Sequence, residues 1–397
     1  MSTSTRRPRT RTPPIRLLQT AAFVATFDRF AMPPMLVAIS VDLGVPLSAA
    51  VQAAGVYFLA YGLTQPVWGS VSDRIGRVAT MRITLLLAGL CSIASAASDT
   101  ALVLGVSRGL AGGLFGAAYP AALIYIGDTV RADVRQRDVA RLMVGTALGT
   151  ALASVGAGIV ADAWSWRVMF VLTGVVAVAL AAVLRALPEP EREHHGGSFL
   201  RPVGYVGRSP VTLFVLVCAL AEGAILLGTI TLLPAAMEHA GASTTVAGLA
   251  TGVYGLSVLP CSVFVGRFSQ RWHASRLIAL GAVAAMLACT VLAVSQEVAA
   301  GVTAALLLGL AWTAMHSTLQ TWATEVLPAA RATVVSFFAG SLFVGSSIAA
   351  VVASGLADEG RYDVLFAACA VLAVPLGVSA AGVRARWQPS GPTAARS

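Results

Sequence analysis

Across 397 residues the chain is 57% hydrophobic and only 11% charged, a balance that excludes a soluble protein of this length and marks a polytopic membrane protein. The formal net charge is +9, and every basic residue is an arginine. Those arginines fall in alternate loops, so the charge reports membrane topology and is not a nucleic-acid footprint.

The basic, proline-containing segment Ser2 to Pro14 reads as a cytoplasmic tail. The first apolar run is a retained helix and not a signal peptide, because it is long, carries Asp28-Arg29 and lacks a small-residue cleavage site. Apolar runs near the roughly 20 residues that cross a bilayer as helix then follow one another. They lie at 16-41, 49-71, 79-97, 100-127, 139-161 and 167-187, then at 210-235, 243-267, 275-295, 299-323, 331-357 and 362-384. None shows the shorter alternating pattern of barrel strands. The expected fold class is therefore an all-α membrane protein with 12 transmembrane helices in two six-helix halves. Its parts are a cytoplasmic tail at 1-15, a half at 16-187, a cytoplasmic linker at 188-209, a half at 210-384 and a second tail at 385-397. Short connections such as Asp42 to Ser48 and Ser98-Asp99 make neighbouring helices antiparallel hairpins.

Arginines such as Arg16, Arg74, Arg77, Arg131, Arg185, Arg208, Arg267, Arg331 and Arg384 share one side, and only Arg167 and Arg361 sit in the opposite loops. By the positive-inside rule both termini are cytoplasmic. The pair His194-His195 in the linker has no fixed third ligand and reads as a solvated loop. Cys91, Cys218, Cys261, Cys289 and Cys369 all lie in apolar runs without metal-ligand spacing and read as packing residues. No metal site is expected.

Three landmarks recur at nearly equal separations along the chain: Gly69 with Gly266, Asp128 with Glu325, and Asp28 with Glu222. Such matches support two homologous halves, with a site at their interface. Inside the spans, four ionisable residues stand out: Asp28, Arg29, Arg108 and Glu222. A charge near the bilayer centre costs at least about 2.5 to 3.5 kcal/mol and persists when it is paired or functional. At 1.5 Å per helical residue, Asp28, Glu222 and Arg108 each lie about 18 Å from the cytoplasmic side. Pro33-Pro34, one turn beyond Asp28, is expected to break or kink the first helix.

The stretch Gly69-Ser-Val-Ser-Asp73-Arg74-Ile-Gly76-Arg77 packs three charges into five residues between two apolar runs. It resembles the signature loop between the second and third helices of the major facilitator superfamily, whose members are secondary transporters. Arg108 with Gly109, Gly112, Gly113 and Gly116 resembles the fourth-helix motif of that superfamily. The run from Gly149 to Gly158, followed by Trp166-Arg167-Val-Met-Phe170, resembles the fifth-helix motif of its drug antiporters, with Ala153-Ser154 in place of their Gly-Pro.

The resemblance implies that the first, fourth, seventh and tenth helices line a central cavity. Adjacent helical residues point about 100° apart, so Asp28 and Arg29 need different partners. Asp28 is assigned to Arg108, and Arg29 to Glu222. Asp28 and Glu222 are the expected proton-coupling acids, with Asp28 ranked first; fixed structural ion pairs are the alternative. Helix number and depth nominate Phe27, Met32, Phe115, Tyr119, Leu226, Trp312, Met315 and His316 for the substrate cavity. Each reads more often as ordinary helix packing than as a contact, and His316 more often as a hydrogen-bonded packing histidine than as a proton relay.

At the cytoplasmic gate, formed by Gly69, Asp73, Arg74, Gly76, Arg77 and Asp128, the resemblance implies a latch. In it the loop acid contacts a helix end in the other half while Arg77 pairs with Asp128.

The implied function is proton-coupled export of amphipathic organic compounds or drugs by alternating access, from the plasma (inner) membrane. The alternative is a proton symporter taking up an organic anion, with Arg29 and Arg108 as carboxylate ligands. The expected partners are a small-molecule substrate, protons and the lipid bilayer, with the chain a monomer and neither nucleic acid nor a cofactor involved. A nucleotide-binding G-x-x-x-x-G-K-[ST] loop needs a lysine, which the chain lacks. A nucleophile or metal set at one depth, which an embedded enzyme requires, is also missing from the sequence.

Overall fold

The computed structural model describes residues 15–190 and 200–388. The tails beyond them, and His194-His195 with the middle of the linker, lie outside the described residues. Among the described residues, twelve helices are long and apolar enough to cross a membrane. In chain order they are α1 (Ile15–Leu43), α2 (Leu47–Ile75), α3 (Arg77–Ala96), α4 (Ala101–Thr129), α5 (Asp133–Ala163) and α6 (Trp166–Ala186). The second set is α7 (Pro210–His239), α8 (Thr244–Ser269), α9 (Ala274–Val294), α10 (Val298–Glu325), α11 (Pro328–Asp358) and α12 (Tyr362–Arg386). The protein is an all-α, multi-pass membrane protein.

Within the first six helices α1 packs on α5, α2 on α4 and α3 on α6; within the last six α7 packs on α11, α8 on α10 and α9 on α12. Two long seams join the sets, α2 against α11 and α5 against α8. Lipid supplies no hydrophobic force between helices, so these seams depend on small residues that let backbones touch. A Cβ built on Gly62 would stand 2.8 Å from the Gly340 carbonyl oxygen, and one on Gly248 would stand 2.6 Å from that of Ser154.

Two helices break where the sequence demands it. Proline has no N–H and clashes with the preceding turn; accordingly α1 gives way to a 3-10 turn at Pro33–Met35 before resuming at Leu36. The glycine-rich α4 breaks between Phe115 and Ala118. Carbonyls there are answered by α2: Trp68 Nε1 donates to the Gly113 oxygen at 2.6 Å and Gln65 Nε2 to the Gly116 oxygen at 3.2 Å. Side-chain donors of this kind make a broken helix tolerable inside a membrane.

The polar stretch at Gly69 is not a loop. α2 stays helical through Ile75, and α3 begins at Arg77, leaving Gly76 alone as the turn. Its φ of 107° is left-handed territory that a side chain rarely tolerates. Across this turn sits Glu189, whose carboxylate accepts from the Val78 and Ala79 amides at 3.1 Å. A carboxylate at a helix N-terminus satisfies orphan amides and favours the helix dipole by about 0.3 to 1 kcal/mol. Here the start of the linker is tied to the first six helices.

Candidate functional site

We call the side bearing the starts of α1 and α3 and the ends of α2, α10 and α12 the arginine-rich face. On the opposite face the two sets of helices close on each other. Asp358 accepts from the Ser48 amide at 2.7 Å, Asp162 from the Thr245 hydroxyl at 2.6 Å, and Gln52 reaches Ser354 at 3.4 Å. Toward the arginine-rich face the α5–α8 seam parts. The resulting cavity of about 860 Å³ runs from Arg29, Phe30, Tyr254 and Trp312 out to Trp272 and Glu325.

Asp28 and Arg108 are both fully buried, and they pair in two parallel bonds: Nη2 to Oδ2 at 2.7 Å and Nη1 to Oδ1 at 3.2 Å. Ser92 and Thr173 also donate to Oδ1, at 2.8 and 3.3 Å. The guanidinium lies 4.6 Å from the Tyr57 ring and 4.5 Å from the Phe170 ring. Helices α1, α2, α3, α4 and α6 thus enclose one neutral cluster. Neither Asp28 nor Arg108 lines the cavity described above.

Glu222 is equally buried but far less satisfied. Its Oε2 meets His316 Nδ1 of α10 at 3.3 Å, and its Oε1 has no hydrogen-bond partner. The expected Arg29–Glu222 pair is therefore not formed. The reason is geometric: Glu222 faces α10, whereas the Arg29 guanidinium is held among the rings of Phe30, Tyr61 and Phe343 at 4.9, 5.2 and 5.2 Å.

Both members of the Glu222–His316 pair sit at π-helical turns, Gly223–Leu227 following Glu222 and Trp312–His316 ending at the histidine. A π-turn adds a residue to the helical circumference and re-aims the side chains beside it. The α7 turn is possible because Gly223 and Gly345 let α7 and α11 meet backbone to backbone, each packing directly on a carbonyl of the other helix. Sequence reasoning missed both turns.

Of the eight residues nominated for the cavity, Trp312 lines it. Met32, Phe115, Leu226 and Met315 are buried in the helix core, and Phe27 packs on Phe23. His316 stacks on Trp312 with ring centroids 3.9 Å apart and is 7% exposed. Tyr119 is half-buried, within electrostatic range of Arg29. Of the four helices expected to line the cavity, α1 and α10 do so and α4 and α7 do not; the remaining walls come largely from α5 and α8, through residues such as Met143, Thr150, Val258 and Ser262. Counting helices could not find them. The available signal was Gly248, Gly252 and Gly255, a small-residue stripe that clamps α8 to α5 just before the two diverge.

On the arginine-rich face Arg77 bridges Asp73 at 2.6 Å and Asp128 at 3.2 Å, all within the first six helices. The expected contact of Asp73 with a helix end of the other half is not what Asp73 makes here, since its partner is one helical turn away. The carboxylate that caps a helix is Glu189. Gly69 faces open space and Arg74 lies in the last turn of α2. Arg384 of α12 holds Glu325 of α10 at 2.8 Å. The two arginines on the opposite side are each neutralised, Arg167 by Asp42 at 3.1 Å and Arg361 by Glu359 at 3.2 Å.

Buried charge clusters beside a cavity on the arginine-rich side suit a transporter, and the comparison with known families decides the matter. The model of the Major Facilitator Superfamily matches residues 19–335 and 227–396. The chain belongs to the major facilitator superfamily. Its members are transporters and not enzymes. The transporter is 28% identical over 173 residues to the MFS antiporter QDR3 of Candida albicans, covering 43% of this chain and 25% of that one. It is 23% identical over 128 residues to the benzoate transport protein of Acinetobacter baylyi, covering 31% of this chain and 28% of that one. The chain thus aligns with about a quarter of each relative's length. Among solved structures it is similar to a bacterial homolog of the human lysosomal transporter Spinster in an inward-facing, unoccupied conformation. The TM-score is 0.76 at 16% identity, covering 95% of this chain and 98% of that one, a likeness of fold.

Proposed function

We propose that the chain is a proton-coupled secondary transporter that exports amphipathic small organic compounds by alternating access. Its halves, 16-187 and 210-384, rock about the α2–α11 and α5–α8 seams, with the 188-209 linker joining them. The positive-inside rule makes the arginine-rich face cytoplasmic with both termini inside, and the membrane of this reading is the plasma membrane. In this orientation the structure is inward-facing.

The observation that carries proton coupling is Glu222. Its Oε1 has no partner at full burial, while its other oxygen meets a histidine whose ring stacks on a cavity-lining tryptophan. A buried carboxylate oxygen without a donor is costly, and that unanswered oxygen marks Glu222 as the working acid of this reading. His316, slightly exposed and beside Ser317 and Thr313 of the cavity wall, is the group through which a proton reaches it. Titratable groups close enough to Glu222 to interact with it include Cys218 of α7 and Tyr254 of α8. Asp28, which the sequence ranks first, has its charge met by Arg108, Ser92 and Thr173, and its pair serves to hold the first six helices together. Asp73, Arg77 and Asp128 would act as a latch when the halves close on the cytoplasmic side.

Inverted vesicles loaded with the purified protein test this with ethidium and carboxyfluorescein as probes of opposite charge. An imposed pH gradient, acid inside, is expected to drive accumulation of at least one probe, and Glu222→Gln is expected to abolish that accumulation while leaving exchange at equal pH. Gradient-driven accumulation that survives Glu222→Gln would overturn the coupling, and expulsion in place of accumulation would reverse the direction. A cysteine placed beside Asp42 should react with an impermeant reagent from outside the cell, and failure to react would overturn the orientation.

A further inference from the structure

Three charged side chains line the central cavity: Arg29, Glu325 and Arg384. The one acid among them is already engaged by Arg384. The other two acids at the level of Arg29 are spent elsewhere, Asp28 on Arg108 and Glu222 on His316. Arg29 forms no ion pair among the described residues, and its Nε is buried without a hydrogen-bond partner. Aromatic rings cradle the guanidinium and compensate part of its charge, but they accept none of its N–H groups in plane. A cation at mid-membrane without an acid partner is retained when a function requires it.

We infer that Arg29 anchors the substrate, and that the substrate is an organic anion, a carboxylate on an aromatic body. This rests on the transport reading above and holds for either direction of transport. A carboxylate lying in the plane of the guanidinium takes two parallel N–H bonds, the strongest pairing this side chain offers. A cationic compound would meet like charge with no acid free to answer it. Tyr254, Phe30 and Trp312 line the same cavity as Arg29 and supply aromatic surface for such a body. Arg108, the other candidate carboxylate ligand, is closed off by Asp28 and two rings. Arg29 alone is available.

Equilibrium binding to the full chain in lipid nanodiscs tests the site, read by tryptophan fluorescence and by thermal shift. The probes are benzoate, 2-naphthoate and indole-3-acetate, each beside its uncharged amide, with benzylammonium as the cation. At least one carboxylate should bind, and its amide should bind about tenfold to a hundredfold more weakly, the worth of one charge-assisted pairing. Arg29→Gln should reduce the carboxylate to the level of its amide. Arg29→Lys, which keeps the charge without the planar fork, should recover part of the difference and stands in if the glutamine variant does not fold. Absence of binding by all three carboxylates, tighter binding of benzylammonium, or equal carboxylate affinity in wild type and Arg29→Gln would overturn the proposal. No pH gradient enters these measurements, so the two readings fail separately. Carboxylate binding in a protein whose flux ignores the gradient retires the coupling and keeps the anion site; gradient-driven flux confined to cationic probes does the reverse.

Discussion

Asp28 and Glu222 occupy matching places in the two halves of the sequence, and both are fully buried, yet their surroundings are opposite. Asp28 has a bidentate arginine and two hydroxyl donors, with aromatic rings on both sides of the arginine. Glu222 has one histidine contact and an oxygen with no partner, set between two π-turns. A fully answered charge is a fixed part of the scaffold, whereas a half-answered one can change its protonation without dismantling its neighbours. Burial alone therefore does not distinguish a structural acid from a working one. On the proposed reading, the count of donors does.

The largest effect expected from this contrast is on stability. Removing one partner of a buried ion pair strands the other and costs about 3 to 5 kcal/mol. Asp28→Asn or Arg108→Gln should accordingly lower the melting temperature of the detergent-purified protein sharply and reduce its yield. The double variant should recover part of the loss, because it leaves no lone charge. If Asp28→Asn melts with wild type yet loses gradient-driven transport, the comparison inverts and Asp28 is the coupling acid.

Glu222→Gln should behave differently in the same melting experiment. It replaces a single contact of the carboxylate, so the expected loss is about 1 kcal/mol or less. The variant should fold and bind like wild type and fail only in coupling. A loss equal to that of Asp28→Asn would show that the two halves use their acids alike.

The sequence made the two acids visible and ranked Asp28 first, but without access to what surrounds each of them, and the reason is physical. Depth follows from residue number along a helix, so Asp28, Arg108 and Glu222 were placed at one level by counting. Facing depends on helix rotation and on local changes of pitch, which counting does not supply. Arg29 illustrates this: a straight-helix argument separates it correctly from Asp28, yet its neighbours turn out to be Phe30, Tyr61 and Phe343 and not Glu222. The number of spans and the break at Pro33-Pro34 were legible because composition and proline chemistry act locally. The cavity walls on α5 and α8 were not, because they are defined by where two helices part. That depends on glycines of both helices together.

The smallest effect is expected at Asp73, where the same carboxylate–arginine chemistry occurs with its acid 61% exposed. A pair so open to water contributes at most about 1 kcal/mol to stability, so Asp73→Asn should melt with wild type. Its consequence should appear in the balance between conformations. Among the described residues Asp73 pairs with Arg77, and the cavity lies toward this face. If the acid acts in the state with that face closed, losing it should shift the population toward the open form. A shift of about 1 kcal/mol corresponds to roughly a fivefold change in population. Cysteine introduced at Ser262, on the cavity wall, should then label faster in Asp73→Asn than in the same cysteine variant with Asp73 intact, and transport should slow because the return step is disfavoured. Unchanged labelling and unchanged transport would mean that the exposed pair contributes to neither state, and that among these three carboxylates only the buried ones matter.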